Sequence, residues 1–434
     1  MVKRDTVLFV GHKINFNLGL LADLSAKLDR ELRGVLVVER TNRTLLAKLK
    51  SKRLQAKLRR RRFDVLVIKS KQPHRLQAQL KPYLDRVLAI TVQRENLIPV
   101  YRRLLPHFPY ILAPTDKSLE WATNKLSMRH MLSIFDKKLC PRFAPVADAE
   151  PSTLRKTSKR IGFPLITKPT GLATSLLVNQ CYYEEELKRV LRRSFKKIRA
   201  VYKLKKGRDA PAIMAEQLLD GDVYTIDAYV NAKGRVVFCP MVFVETGRAA
   251  GFDDFFSYKQ MTPVKRLSKV KQEEAMAVAK KGIKALALRS ATCHIELIYD
   301  GEEWKIIEIA ARPGGYRHDL YGKSFGFNHG LNDLLNKLNL KPVVNRRTRG
   351  HSCIIKFYAR QEGVIKRIRG TEAIKSIDSV VKYVACLSKG DRAQFAKNGG
   401  GCVGLAKLFN RNPAALAGDI RRAEQTIRIE IAKK

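Results

Sequence analysis

The stretch Cys293–Gly315, CHIELIYDGEEWKIIEIAARPGG, constrains the fold more than any other part of the chain. It reads as strand, turn, strand and glycine-bearing loop, with Glu296 and Glu308 on the two strands and Arg312 in the loop. Side chains alternate along a strand, so Glu296 shares a face with His294 and Ile298, and Glu308 with Ile306 and Ala310. A three-residue loop, Gly301–Glu303, sets Glu296 opposite Glu308 and is a common hairpin type. A two-residue Asp300–Gly301 turn sends the two to opposite faces. Like charges directly opposite destabilise a ladder, so the facing register suits the chain best with a cation between them. Mg²⁺ is commonly held by one or two carboxylates together with nucleotide phosphates. The pattern therefore points to a metal–nucleotide site, against the plainer reading of a solvated charged hairpin.

The chain has 434 residues, enough for two or three domains, and at 45% hydrophobic and 8% aromatic it can bury a sizeable core. No apolar run approaches the roughly 18 residues of a membrane span. The N-terminus, MVKRDTVLFVGHK, reads as a first strand rather than a secretory signal. The seven cysteines contain no C-x-x-C pair and their number is odd. That argues for a reducing, cytoplasmic compartment and for thiols acting as small buried hydrophobes. With 85 lysines and arginines against 40 acidic residues, the formal charge is +45. Such a field attracts nucleotides, nucleic acid and other polyanions. The basic residues are spread along the chain, which favours a general effect over a dedicated nucleic-acid site. The run Lys57–Arg62, KLRRRR, reads as a solvated helix end. Oligomeric state is left open, a homodimer included.

Short Val/Ile-rich runs at 6–10, 35–38, 64–68 and 87–92 alternate with helical patterns such as Leu18–Leu32 and Leu45–Leu58. This predicts a Rossmann-like parallel sheet in residues 1–115. GHKINFNLG after the first run is not a dinucleotide fingerprint. A helix is expected over Thr115–Phe135, carrying Lys125. In GFPLITKPTGLATSLLV a strand ends at Lys168 beside a loop with Gly171, Thr174 and Ser175, whose N–H groups suit phosphate oxygens. A strand over Ala212–Leu219, a hairpin over Tyr224–Phe238 and a long, lid-like loop over Glu245–Thr262 follow. From residue 341 the pattern is that of a small α+β lobe.

Four of these stretches together resemble the ATP-grasp superfamily, nearest to its carboxylate–amine ligases of the L-amino-acid ligase type. NKLSMRHML with Lys125 and IGFPLITKP with Lys168 resemble the two phosphate-contacting lysine segments, and Gly171–Ser175 the phosphate-covering loop. AEQLLDGDVYTIDAYV resembles the hinge strand, and HIELIYDGEEWKIIEIAARPGG the metal hairpin. The resemblance spans Thr115–Gly330. It implies an α/β and α+β multidomain chain: a Rossmann-like domain (1–115), an ATP-grasp domain (116–340) and a C-terminal lobe (341–434). It further implies ATP and Mg²⁺ or Mn²⁺ as cofactors. Lys125, Lys168 and Ser175 would meet the phosphates, and Glu216 with the Gln217–Leu218 backbone the adenine. Glu296 and Glu308 would bind metal, and Arg312 the γ-phosphate or an acyl-phosphate. Three departures stand out. Ala310 replaces a frequent asparagine, GLATSLLV lacks a second loop glycine, and Val223 stands where a ribose-binding glutamate is often found, with Asp222 as a substitute. The implied activity is ATP-dependent joining of a carboxylate to an amine or thiol through an acyl-phosphate. Arg317 and His318 are the candidates for binding the substrate carboxylate. His294 and Asp227 are expected to position rather than to transfer protons. The rivals are a phosphotransferase and a non-catalytic nucleotide-binding protein that docks on polyanions.

Overall fold

The computed structural model describes residues 4–11, 13–69, 72–172, 175–205 and 211–432. Four strands, Thr6–Val10, Arg33–Glu39, Phe63–Ile68 and Val87–Val92, form a parallel sheet in the order third, second, first, fourth. All five residues of the first strand are buried, as expected where helices cover both faces of a parallel sheet. Part of that cover comes from far downstream. The helix His329–Lys337 sends Leu334 and Leu335 into one core with Val7, Phe9 and Leu36. The basic run is indeed exposed, at the end of the helix Lys52–Arg60. The pattern Leu45–Leu58 is two helices, because the chain caps and restarts at Lys50 and Ser51.

On the helix His329–Lys337, Asp333 ties the N-terminal sheet to the strand that carries Glu296. It accepts hydrogen bonds from Thr91 and Thr292, each 2.6 Å, and pairs with Lys337 at 2.5 Å. Burial raises its pKa, but Lys337 and the two hydroxyls outweigh burial and hold the carboxyl below its ordinary range. A lowered pKa stabilises the fold above the unfolded value, near 4, and that contribution fades as pH falls through the folded value. Asp333→Asn is therefore expected to cost about 1.5–3 kcal/mol at neutral pH. In urea melts across pH, the gap between the two proteins should narrow below pH ~4. A gap that widens in acid would contradict this.

The next sheet is antiparallel, in the order Phe143–Val146, Ile213–Gln217, Leu165–Pro169, Asn179–Cys181. The helices Pro151–Ile161 and Glu184–Lys205 back it, through a core that includes Leu154, Leu187 and Leu191. The large sheet runs Trp304–Ala310, Ala291–Tyr299, Asp222–Val230, Val242–Thr246, Ser257–Thr262, His351–Phe357, Gly404–Asn410, Val380–Ala385, with Val236–Phe238 branching from the third of these strands. The region from 341 thus extends the central sheet. It also builds a small sheet of its own from Arg392–Ala393, Gly363–Arg369 and Arg428–Ile431.

Two local expectations need correction. The helix expected over Thr115–Phe135 is two helices, Asp116–Thr123 and Lys125–Phe135. Asn124 between them is extended (φ −106°, ψ 112°) and its side chain accepts from the N–H groups of Leu126 and Ser127. An asparagine that caps so well ends one helix and starts the next, which places Lys125 at a helix start. The supposed lid over Glu245–Thr262 is mostly a hairpin of the large sheet. Its connection is pinned by Phe252 and Phe256, both buried, and Phe256 stacks on Tyr358 with ring centroids 3.6 Å apart.

Candidate active site

The hairpin that carries the two glutamates changes register along its length. Near the turn, Tyr299 pairs with Trp304, Ile298 with Lys305 and Leu297 with Ile306; beyond, Glu296 pairs with Glu308, Ile295 with Ile309 and His294 with Ala310. The turn is Asp300–Glu303, fastened by Asp300 Oδ1, which accepts from the N–H groups of Glu302 (3.0 Å) and Glu303 (2.8 Å). The expected three-residue loop is therefore corrected to four. On its own that turn leaves the glutamates out of step. A bulge at Ile307 inserts one residue and restores them to facing positions. The carbonyl of Ile307 accepts from Arg129 Nη2 at 2.6 Å. The buried guanidinium on helix Lys125–Phe135 thus holds the bulge, and through it the carboxylate pair.

A cleft of about 2070 Å³ lies between the two antiparallel sheets and the N-terminal parallel-sheet region, and Lys125, Lys168, Ser175, Glu216, Gln217, Leu218, Glu296, Glu308, Arg312, Arg317 and His318 all line it. Thr174 lies outside the described residues. Lys125 Nζ donates to the carbonyl of Leu172 at 2.8 Å and stands 3.5 Å from Glu308 Oε2. Burial opposes its charge, but Glu308, Glu95 and Glu296 raise its pKa overall. Lys168 is paired with Glu216, and burial pushes its pKa down. Glu216 Oε1 also meets Arg129 Nε at 2.9 Å. Its burial is outweighed by Arg129 and then Lys168, so the carboxyl stays ionised. Arg312 Nε donates to Glu95 Oε2 at 3.0 Å, so a carboxylate from just after the fourth parallel strand reaches into the site.

Behind Glu296 lies a buried polar chain. His294 Nε2 is 3.4 Å from Glu296 Oε1, and His294 Nδ1 is 2.7 Å from Asp227 Oδ1. Asp227 Oδ2 is 2.9 Å from His329 Nε2, whose other ring nitrogen meets the Tyr229 hydroxyl at 2.5 Å. Burial lowers the His294 pKa, but Asp227 and Glu296 overcome it and raise the value. Against its own burial, the His294 hydrogen bond pulls Glu296 down to about 2. Such a chain fixes the orientation of a ligating carboxylate. Gly314 donates its N–H to Asp227 Oδ2 at 2.7 Å, and a Cβ there would sit 2.5 Å from His294 Nδ1. Only glycine lets the loop pass that closely.

Several expected roles change. Asp222 does not line the cleft. Alternation turns Val223 and Thr225 inward and Asp222 out, where its Oδ2 accepts from the Tyr224 hydroxyl at 3.1 Å. It cannot replace the ribose-binding glutamate from there, whereas Asp220 does line the cleft. The N–H groups of Gln217 and Leu218 already donate to Arg142 O (2.9 Å) and Pro164 O (3.1 Å), so neither is a donor for adenine in this arrangement. Arg317 is fully buried and committed to Gln260 Oε1 (2.6 Å), Thr225 Oγ1 and Gly315 O (3.2 Å). It braces the loop rather than presenting itself to a substrate. His318 stacks edge-on against Phe16, centroids 4.7 Å apart, and burial lowers its pKa. Sequence reasoning missed Glu95, Arg129 and His329. Arg129 alone left a signal, four residues after Lys125 on the same helix face.

Among the described residues no group of three or more His, Cys, Asp and Glu side chains is arranged to hold a metal ion. Two facing carboxylates fit a hard cation that completes its shell with phosphate oxygens.

Residues 161–318 match the family description of the ATP-grasp domain. The chain thus carries an ATP-grasp domain, and its overall architecture is the ATP-grasp fold. The L-amino acid ligase of Bacillus licheniformis superimposes with a TM-score of 0.74 at 15% identity, covering 100% of both chains. N5-carboxyaminoimidazole ribonucleotide synthetase of Thermotoga maritima gives 0.66 at 14%, over 99% of this chain and 100% of the other. Biotin carboxylase of Campylobacter jejuni gives 0.65 at 10%, over 98% and 92%. At such identities the likeness is one of fold. No curated protein matches the sequence. No helix among the described residues is long and apolar enough to cross a membrane.

Proposed function

We propose that this protein is an ATP-dependent ligase that binds MgATP between the two antiparallel sheets, activates a small-molecule carboxylate as its acyl-phosphate and passes it to an amine or thiol. One observation carries the proposal: Glu296 faces Glu308 across a hairpin, beside Lys125 and within the same cleft as Lys168 and Arg312. The similar structures include an L-amino acid ligase and an N5-carboxyaminoimidazole ribonucleotide synthetase, and ligation fits the same cleft.

Glu296 and Glu308 would hold Mg²⁺. The ion, when bound, neutralises phosphate oxygens and orients the transferring group. Lys168 and Lys125, now paired with Glu216 and Glu308, would turn to the phosphates and spread their charge. Arg312, held by Glu95, would meet the γ-phosphate or the acyl-phosphate. His294 and Asp227 keep Glu296 ionised and aimed. Little covalent help from the protein is needed, because positioning and charge neutralisation lower the barrier. A cytoplasmic setting belongs to the same proposal, and five of the seven free cysteines are buried.

The test is a screen of amino acids and small acids for ATP-dependent phosphate release, with and without amines and thiols. The proposal expects ADP and phosphate release that needs both an acid and a nucleophile. ATP hydrolysis indifferent to every acid, or phosphate transfer to a hydroxyl, would contradict it.

A further inference from the structure

Four cations around the carboxylate pair each have an acid: Lys125 has Glu308, Lys168 and Arg129 share Glu216, and Arg312 has Glu95. Beyond the carboxylate pair the balance is different. Lys13, Arg94, Lys356 and Lys407 line the same cleft, Arg94 and Lys356 beside Tyr316. They come from four segments: the start of the first helix, the loop after the fourth parallel strand, and two strands of the large sheet. Among the described residues the one acid paired with them is Asp319, 2.6 Å from Lys407 Nζ. Among the described residues Lys13, Arg94 and Lys356 make no ion pair. Lys356 Nζ stands 5.6 Å from the centre of the Tyr316 ring. Burial pushes its ammonium below the ordinary range, and Glu296 is close enough to act on it. Desolvation and then the nearby Arg94 lower the pKa of Lys13. The pocket also receives the start of the helix Arg317–Phe325, whose cap residue Tyr316 makes no side-chain capping bond, and helix starts favour anions.

Convergent, uncompensated cations in a cleft repel one another unless a ligand brings the opposite charge. A single carboxylate, itself consumed in activation, would leave this group unmatched. We propose that the acid substrate carries at least one further anionic group, a carboxylate or a phosphate, seated between Arg94, Lys356 and Lys13. This rests on the ligase proposal only for calling the occupant a substrate; the pocket itself does not depend on it.

The test is calorimetric binding to the full chain, saturated with Mg²⁺ and a non-hydrolysable ATP analogue, at physiological ionic strength, with lactate, malate and 3-phosphoglycerate as probes. Malate or 3-phosphoglycerate is expected to bind at least about tenfold more tightly than lactate. Whichever of the two is preferred identifies the second group as carboxylate or phosphate. Arg94→Ala and Lys356→Met should each remove most of that preference, while Arg60→Ala, in the remote basic helix, should leave it intact. Equal binding of all three acids overturns the proposal. So does a preference that survives both pocket variants, or one that Arg60→Ala weakens equally, since that would be the field of the whole molecule. If the preference holds but no acid supports ATP turnover, the pocket stands and the ligase proposal falls. If monoanionic acids turn over with equal KM, the pocket falls and the ligase proposal stands.

Discussion

Glu308→Ala is expected to lower acid-dependent ATP turnover about 100-fold or more with little change in the stability of the fold. Glu308 faces Glu296 across the ladder, and like charges so placed work against folding. Removing one relieves that repulsion but also takes away the carboxylate 3.5 Å from Lys125 Nζ, so the two effects offset, and Lys125 keeps its bond to the Leu172 carbonyl. Only the function needs the second carboxylate. MgATP should raise the melting temperature of the wild-type protein, as any ligand specific to the folded state does, and raise that of the variant much less. Retained turnover would mean that the metal lies elsewhere. A large loss of stability without ligand would mean that Glu308 is structural.

Arg129→Leu is expected to cost about 3–5 kcal/mol, because it breaks a buried ion pair from one side. Glu216 would keep Lys168 alone. The Ile307 carbonyl, now 2.6 Å from Arg129 Nη2, would lose its donor, and the bulge that aligns Glu308 with Glu296 would lose its anchor. A lowered urea midpoint together with weaker MgATP binding is the expected result. An unfolding free energy within ~0.5 kcal/mol of the wild type, the range of ordinary surface substitutions, would show that the guanidinium holds nothing in place.

The contrast between these two residues shows what was legible from the chain. Glu296 and Glu308 could be read because strand alternation is local and the hairpin is short. The register could be posed but not decided. It depends on a bulge at Ile307, and the bulge is fixed by an arginine 178 residues away in the sequence. The parallel sheet, the strand ending near Lys168 and the strand expected over 212–219 were legible from apolar periodicity and turn residues. Asp222 was misassigned because the phase of its strand relative to the cleft is set by pairing with its neighbours. Arg317 looked like a substrate ligand because nothing local revealed that Gln260 and Thr225 would surround it. Glu95 went unnoticed because its partner Arg312 lies 217 residues away in the sequence. In each miss, a long-range contact decided what a nearby pattern left open.

The central claim is that Glu296 and Glu308 jointly hold a divalent cation against bound nucleotide. Electron paramagnetic titration of Mn²⁺ into the full chain, with and without a non-hydrolysable ATP analogue, tests it most directly. Wild-type protein should bind Mn²⁺ tightly only with the analogue present, since two carboxylates alone make a weak site. The Glu296→Ala/Glu308→Ala double variant should lose at least about tenfold in that affinity while still binding the analogue without metal. Equal Mn²⁺ binding by the two proteins in the presence of the analogue would contradict the claim.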